Sequence, residues 1–125
     1  MVLVESSVWI SNVSGKNESI PLNNLIEDNK ICINELILAE LVPSINLKKE
    51  NELKELLYTI TRINLDINWD KIINMQTINI KNGINKVGIA DLIIAQNTIE
   101  NDLQLFTFDK HFSLMAKFHN IKMYL

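Results

Sequence analysis

Apolar positions in this chain follow two rhythms. Short runs that are continuous or alternate residue by residue suit strands: Val2–Val4, Ile31–Ile33, Ile63–Ile67, Leu105–Phe108 and Ile121–Leu125. Longer segments between them suit helices: Glu35–Val42, Lys48–Thr61, Trp69 to about Lys81, Ile89–Asp102 and Lys110–Phe118. In Lys48–Thr61 the positions Leu53, Leu56, Leu57 and Ile60 share one face, with Glu and Lys opposite. In Ile89–Asp102 the face is Leu92, Ala95 and Ile99, and Gly88 punctuates its start. A short first helix follows Val4, and the polar stretch Ser14–Ser19 is expected to be a loop. Strands alternating with helices predict an α/β fold with a mainly parallel sheet. In such sheets, sites form beyond the carboxyl ends of the strands, where strand order switches.

At 125 residues the chain suits one domain with a real core, residues 1–125. Its net charge of −3 argues against a surface that grips nucleic acid non-specifically, which is usually basic. A nuclease that meets phosphate through metal ions and a few lysines stays open. The single cysteine, Cys32, lies in an apolar run and is expected to be a buried, inert thiol. No paired Cys/His spacing suggests zinc. No signal-peptide pattern and no apolar run of about 18 residues is seen, so a cytoplasmic protein with no membrane partner is expected.

Four carboxylates stand out. Glu5 ends the first strand, where a turn residue is the ordinary choice. Glu40 lies in "ELILAELV", apolar nearly all round, and is expected to be desolvated in a core segment. Asp91, in "GIADLIIA", opens a helix; alone, the helix dipole explains it. Asp109 closes "LFTFD" and alone reads as an N-cap. Together they suggest convergence at the strand ends, which like charges tolerate when a hard divalent cation lies between them. Such a site can activate water and neutralise charge on a phosphodiester. His111 and His119 read as surface or helix-end residues. Lys86, Lys110 and, less directly, Lys48, Lys49 and Arg62 are candidates for phosphate contact, although solvated surface charge explains each as well.

These segments resemble a PIN-domain ribonuclease, close to the VapC toxins of bacterial toxin–antitoxin pairs. The resemblance runs from "VLVESSVWI" through "ILAEL" and "GIADLIIAQNTIENDLQLFTFDKHF" to "IKMYL". It implies a PIN-like α/β/α sandwich with a mainly parallel sheet of four or five strands. It also implies an acidic Mg²⁺ or Mn²⁺ site, cleavage of structured RNA such as tRNA or rRNA, a homodimer, and a VapB-like antitoxin. Glu40 matches the acid of the family's "AEL" segment, Asp91 that of "AD" and Asp109 that of "TFD". Ser7 and Thr107 match hydroxyl residues expected to orient carboxylates or water.

The opening departs from the family. Its pattern there is Asp-Thr-Ser, whereas this chain has Glu5-Ser6-Ser7, and Ser11 replaces an acid found in many relatives. Glu5 carries its carboxylate about 1.5 Å further out, one carbon–carbon step. Activity weakened by that length is therefore one expectation, with aspartate the more active residue at position 5. A pocket adapted to glutamate is another. The rival function is a catalytically impaired PIN domain that binds RNA or antitoxin without cutting. A receiver or a dehalogenase-like phosphatase would need acid pairs that "VESSV" does not supply.

Overall fold

The computed structural model describes residues 1–13 and 20–124; the expected loop at 14–19 lies outside them. In chain order the elements are β1 (Val2–Val4), α1 (Ser6–Val13), α2 (Ile20–Glu27), β2 (Ile31–Ile33), α3 (Glu35–Lys48), α4 (Asn51–Thr59), β3 (Thr61–Arg62), α5 (Trp69–Lys81), α6 (Ile89–Glu100), β4 (Gln104–Phe106), α7 (Lys110–Met115) and β5 (Lys122–Met123). The sheet has five strands in the order β3-β2-β1-β4-β5, and every pairing is parallel. Helices cover both faces of this sheet, the α/β/α arrangement that the resemblance implies.

β1 is the central strand, flanked in register by β2 (Leu3 beside Cys32) and β4 (Leu3 beside Leu105). It is buried along its length, which is why it is wholly apolar. The chain builds outward from β1 through β2 to β3, then returns to add β4 and β5 on the other side. The switch in strand order therefore falls between β1 and β4. Leu3, Ile33, Leu92, Ile94, Leu105, Phe106 and Phe112 are sealed from solvent around this centre; each such side chain contributes on the order of 2 kcal/mol of burial. Trp9 is also buried, and its Nε1 donates to the Val4 carbonyl at 3.2 Å. Burial pushes the Cys32 thiol up to about 11, consistent with an unreactive side chain.

Several boundaries differ from the sequence pattern. α3 does not stop at Val42 but runs through Pro43 to Lys48. Its buried stripe Ile37, Leu38, Leu41 and Ile45 continues past the proline, while Pro43 and Ala39 face solvent. The carbonyl that Pro43 leaves without a donor is thus on the wet side. Lys49, at φ 56, then turns the chain, its N–H and that of Glu50 returning to Asn46 and Ile45. α4 consequently begins only at Asn51 rather than at Lys48.

The run Ile63–Ile67 is not a strand. After β3, the Ile63 N–H still reaches the Ile33 carbonyl at 2.8 Å, and then side chains of α6 replace the ladder. Asn97 Nδ2 donates to the Asn64 carbonyl, Gln96 Nε2 donates to the Asp66 carbonyl, and the Asn68 N–H donates to Gln96 Oε1. Asn97 also accepts from Asn34 Nδ2 at 3.0 Å, and Asn34 caps α3. α2 was not anticipated; it packs Leu22 and Leu25 into the core. Among the described residues, no helix is long and apolar enough to cross a membrane.

Candidate metal centre

The carboxyl ends of β1 and β4 carry the site. The Glu5 N–H continues the ladder to the Phe106 carbonyl at 2.9 Å, and the Val8 N–H returns to the Glu5 carbonyl as α1 begins. Glu5 is only 6% exposed. One carboxylate oxygen, Oε1, accepts from Ser7 Oγ at 2.5 Å and from Thr107 Oγ1 at 2.7 Å. Neither hydroxyl is free to move: Ser7 Oγ accepts from the Phe108 N–H at 2.9 Å and Thr107 Oγ1 from the Asp109 N–H at 3.0 Å. Ser7 and Thr107 thus join the two strand ends through Glu5.

Glu40 is placed differently from the core position expected of it. α3 turns Ile37, Leu38, Leu41 and Ile45 inward and leaves Glu40 among its exposed residues, on the flank towards α1. There its Oε1 accepts from Ser6 Oγ at 2.8 Å. Loss of surrounding water nevertheless raises its pKa; the Ser6 bond opposes that rise and the Glu5 charge adds to it. Solvent reaches the residue as a whole, so the rise reflects the carboxylate's position at the crowded mouth of the site. Ser6, 6% exposed and adjacent to Glu5, escaped the sequence reading; nothing in the motif distinguishes it from a helix-start serine.

Asp91 sits in the first turn of α6, half-buried. Its pKa is pushed up to about 6, first by desolvation and then by the charges of Asp109, Glu5 and Glu40, with His111 opposing. The other three acids singled out by the sequence therefore all act on Asp91. The group whose ligand atoms all lie within 4.8 Å of one another is Asp91, Asp109 and His111. Asp109 also caps α7, its Oδ1 accepting from the His111 N–H at 2.9 Å.

His111, in the first turn of α7 and part-exposed as expected of a helix-end residue, also lies within reach of Asp91 and Asp109. The signal available was its place two residues after Asp109, where a cap bond turns the chain back over the aspartate. His119 is no bare surface residue either, since its Nε2 lies 2.8 Å from the Oδ1 of fully buried Asn79. Lys110 opens α7 beside Asp109 and is exposed. Lys86 is exposed at φ 66 in the turn before Gly88. Arg62 lies over the Tyr58 ring at 5.4 Å.

The donor set suits a divalent cation. Carboxylates whose charges oppose one another, with a nitrogen beside them, gain from a positive ion at their centre. Beside the site, Trp9, Ile10, Glu40, Leu41, Ser44, Ile45, Lys48, Glu50, Leu53 and Leu57 line a mainly apolar groove of about 490 Å³ between α1, α3 and α4.

Residues 2–118 match the PIN domain family. No curated protein sequence matches the chain significantly. Among solved structures, the chain is similar to VapBC2 from Rickettsia felis bound to a DNA fragment from its promoter, at 18% identity and a TM-score of 0.76, over 99% of this chain and 98% of that one. It is similar to DNA-bound VapBC from Salmonella typhimurium at 15% identity and 0.76, over 98% and 96%. It is also similar to FitAcB from Neisseria gonorrhoeae at 19% identity and 0.71, over 100% and 97%. At these identities the likeness is one of fold.

Proposed function

The chain belongs to the PIN domain family, and from that premise we propose that it is a divalent-metal-dependent endoribonuclease, the toxin of a VapBC-type pair. The observation that carries this reading is the convergence of Glu5, Glu40 and Asp109 on half-buried Asp91, whose pKa desolvation, and then those charges, push up to about 6. An arrangement that costs stability without a cation is what a metal nuclease needs. Asp91 and Asp109 would hold Mg²⁺ or Mn²⁺, with Glu5 and Glu40 at its margin. The ion would supply charge neutralisation at a phosphodiester and an activated water. Ser7 and Thr107 fix the Glu5 carboxylate, and Ser6 fixes that of Glu40. Lys110 and Lys86 are the basic side chains we assign to the RNA backbone, with structured RNA, tRNA or rRNA, as substrate.

The pocket around Glu5 bears on whether activity is weakened. Its two hydroxyls are themselves held by backbone N–H groups and meet the carboxylate at glutamate length. That favours an adapted site over an attenuated one. A VapB-like antitoxin would lay an apolar segment in the groove between α1 and α4 and direct a basic side chain at Glu40 on its rim. We further assign the protein to the cytoplasm, as a single domain acting as a homodimer.

The test is sequencing of RNA ends after brief expression of the wild type and of Asp91→Asn. New ends at defined sites with the wild type alone support the reading. Identical end profiles from the two proteins, both folded, refute it.

A further inference from the structure

We propose that His111 is a metal ligand, its imidazole nitrogen joining Asp91 and Asp109, and that this nitrogen makes the site select Mn²⁺ over Mg²⁺. The inference rests on the metal-nuclease reading above and adds a ligand and an ion preference to it.

The geometry comes first. His111 Nδ1 lies 3.7 Å from Asp109 Oδ1. That is too long for a hydrogen bond. Two ligands each about 2.1 Å from one ion are roughly 3.0 Å apart at right angles and roughly 4.2 Å apart across it. The observed separation falls between those limits. Asp91 completes the set, with all three ligand atoms inside 4.8 Å. Backbone geometry holds the pair in place, because the Asp109 carboxylate also binds the His111 N–H at 2.9 Å. The imidazole is half-exposed, so an ion can reach it.

Chemistry then separates the ions. Mg²⁺ favours oxygen donors in near-ideal octahedral geometry and keeps several waters. A nitrogen donor shifts preference towards first-row transition ions, of which Mn²⁺ also accepts carboxylates. Glu5 and Glu40 do not belong to the three-atom set and are bonded to hydroxyls. The histidine is the third donor that lies within 4.8 Å of both aspartates.

The experiment uses the untagged full chain. Mn²⁺ binding is titrated by electron paramagnetic resonance, Mg²⁺ by competition, and ¹⁴N coupling to bound Mn²⁺ is read by a pulsed method. The wild type should prefer Mn²⁺ by about tenfold or more and show nitrogen coupling. His111→Ala should weaken Mn²⁺ about tenfold, leave Mg²⁺ within about twofold and abolish the coupling. His111→Asn repeats the test should the alanine variant lose its fold. His119→Ala should leave the coupling intact. Mn²⁺ binding that disappears in Asp91→Asn but lacks nitrogen coupling in the wild type overturns this proposal and leaves the nuclease reading standing. So does a His111→Ala variant that cuts poorly yet binds Mn²⁺ normally. A wild type that binds neither ion overturns both.

Discussion

Helix α6 carries two polar regions that treat their buried groups in opposite ways. At its amino end, Asp91 is half-buried near Asp109, Glu5 and Glu40, and desolvation, then those like charges, make its ionised form unfavourable. Towards its carboxyl end, Gln96, Asn97 and Thr98 are buried too, yet each has hydrogen-bond partners. Gln96 and Asn97 hold the 64–68 segment and Asn34, and Thr98 Oγ1 donates to the Ile94 carbonyl. One end is satisfied by hydrogen bonds within the chain, and at the other the ionised acid is unfavourable in the metal-free chain. The contrast marks which polar residues serve the fold and which serve a reaction.

The largest expected effect breaks the unsatisfied end. Asp91→Asn should lower RNA cleavage by about 10²–10³-fold, the usual scale for removing one electrostatic stabiliser. The metal-free fold should stay intact or become firmer. A gel assay of cleavage and a urea melt of the same preparation check both halves; a variant that cuts normally would remove Asp91 from the site.

Breaking the satisfied end should do the reverse. Asn97→Ala would strand Asn34 Nδ2 and the Asn64 carbonyl, at a cost of about 2–3 kcal/mol. Cleavage per folded molecule should change little. Chemical denaturation and active-site-normalised rates separate the two, and a stable but inactive variant would show that the amide network positions the chemistry after all.

The same contrast explains what the sequence disclosed. The parallel α/β order was legible because β1 and β2 are short, apolar and buried, β4 buries Leu105 and Phe106, and helices such as α3 and α5 bury one stripe each. The segment 63–67 misled because its alternation is genuine, with Ile63 and Leu65 half-buried, while its backbone partners are amide side chains 30 or so residues away. No local pattern encodes that. Pro43 misled because a proline's cost depends on which side of the helix its missing bond faces. The acids were found through their motif, but the ligand grouping was not. His111 comes near Asp91 and Asp109 through the cap that Asp109 makes, a contact no motif encodes.

Glu5 is the acid that behaves like the amides, and so tests where the boundary lies. Shortening it draws the carboxylate back by about 1.5 Å from hydroxyls that cannot follow. Glu5→Asp should therefore lower cleavage on the order of tenfold, less than the worst case for a misplaced group. Glu5→Gln, which keeps the length, should cost more activity than stability. Higher activity in the aspartate form, measured with Mg²⁺ and with Mn²⁺, would show instead that the site is still built for the shorter acid.

The smallest effect concerns the proton that Asp91 holds when no metal is present. Its ordinary pKa is 3.8 and its folded value is about 6. Between those values the folded chain binds a proton that the unfolded chain has released. The stabilisation linked to that proton is complete below about 3.8 and is lost as pH rises through about 6. Metal-free wild type should therefore gain stability relative to Asp91→Asn as pH falls from 7 to 5. The gain should be about 1 kcal/mol, reduced from the full shift because solvent screens a half-buried group. Glu40 is raised as well and adds in the same direction. His119, lowered by burial, and Glu100, lowered chiefly by its bond to Lys71, act in the opposite direction. The difference between the two proteins cancels those shared contributions. Adding Mn²⁺ should erase the trend and leave the wild type the more stable of the pair, because the ion displaces the proton. Urea melts at several pH values in chelator and in Mn²⁺ provide the measurement. A pH-independent difference in chelator would mean that the acids around Asp91 are not in conflict, and the contrast between the two ends of α6 would fail.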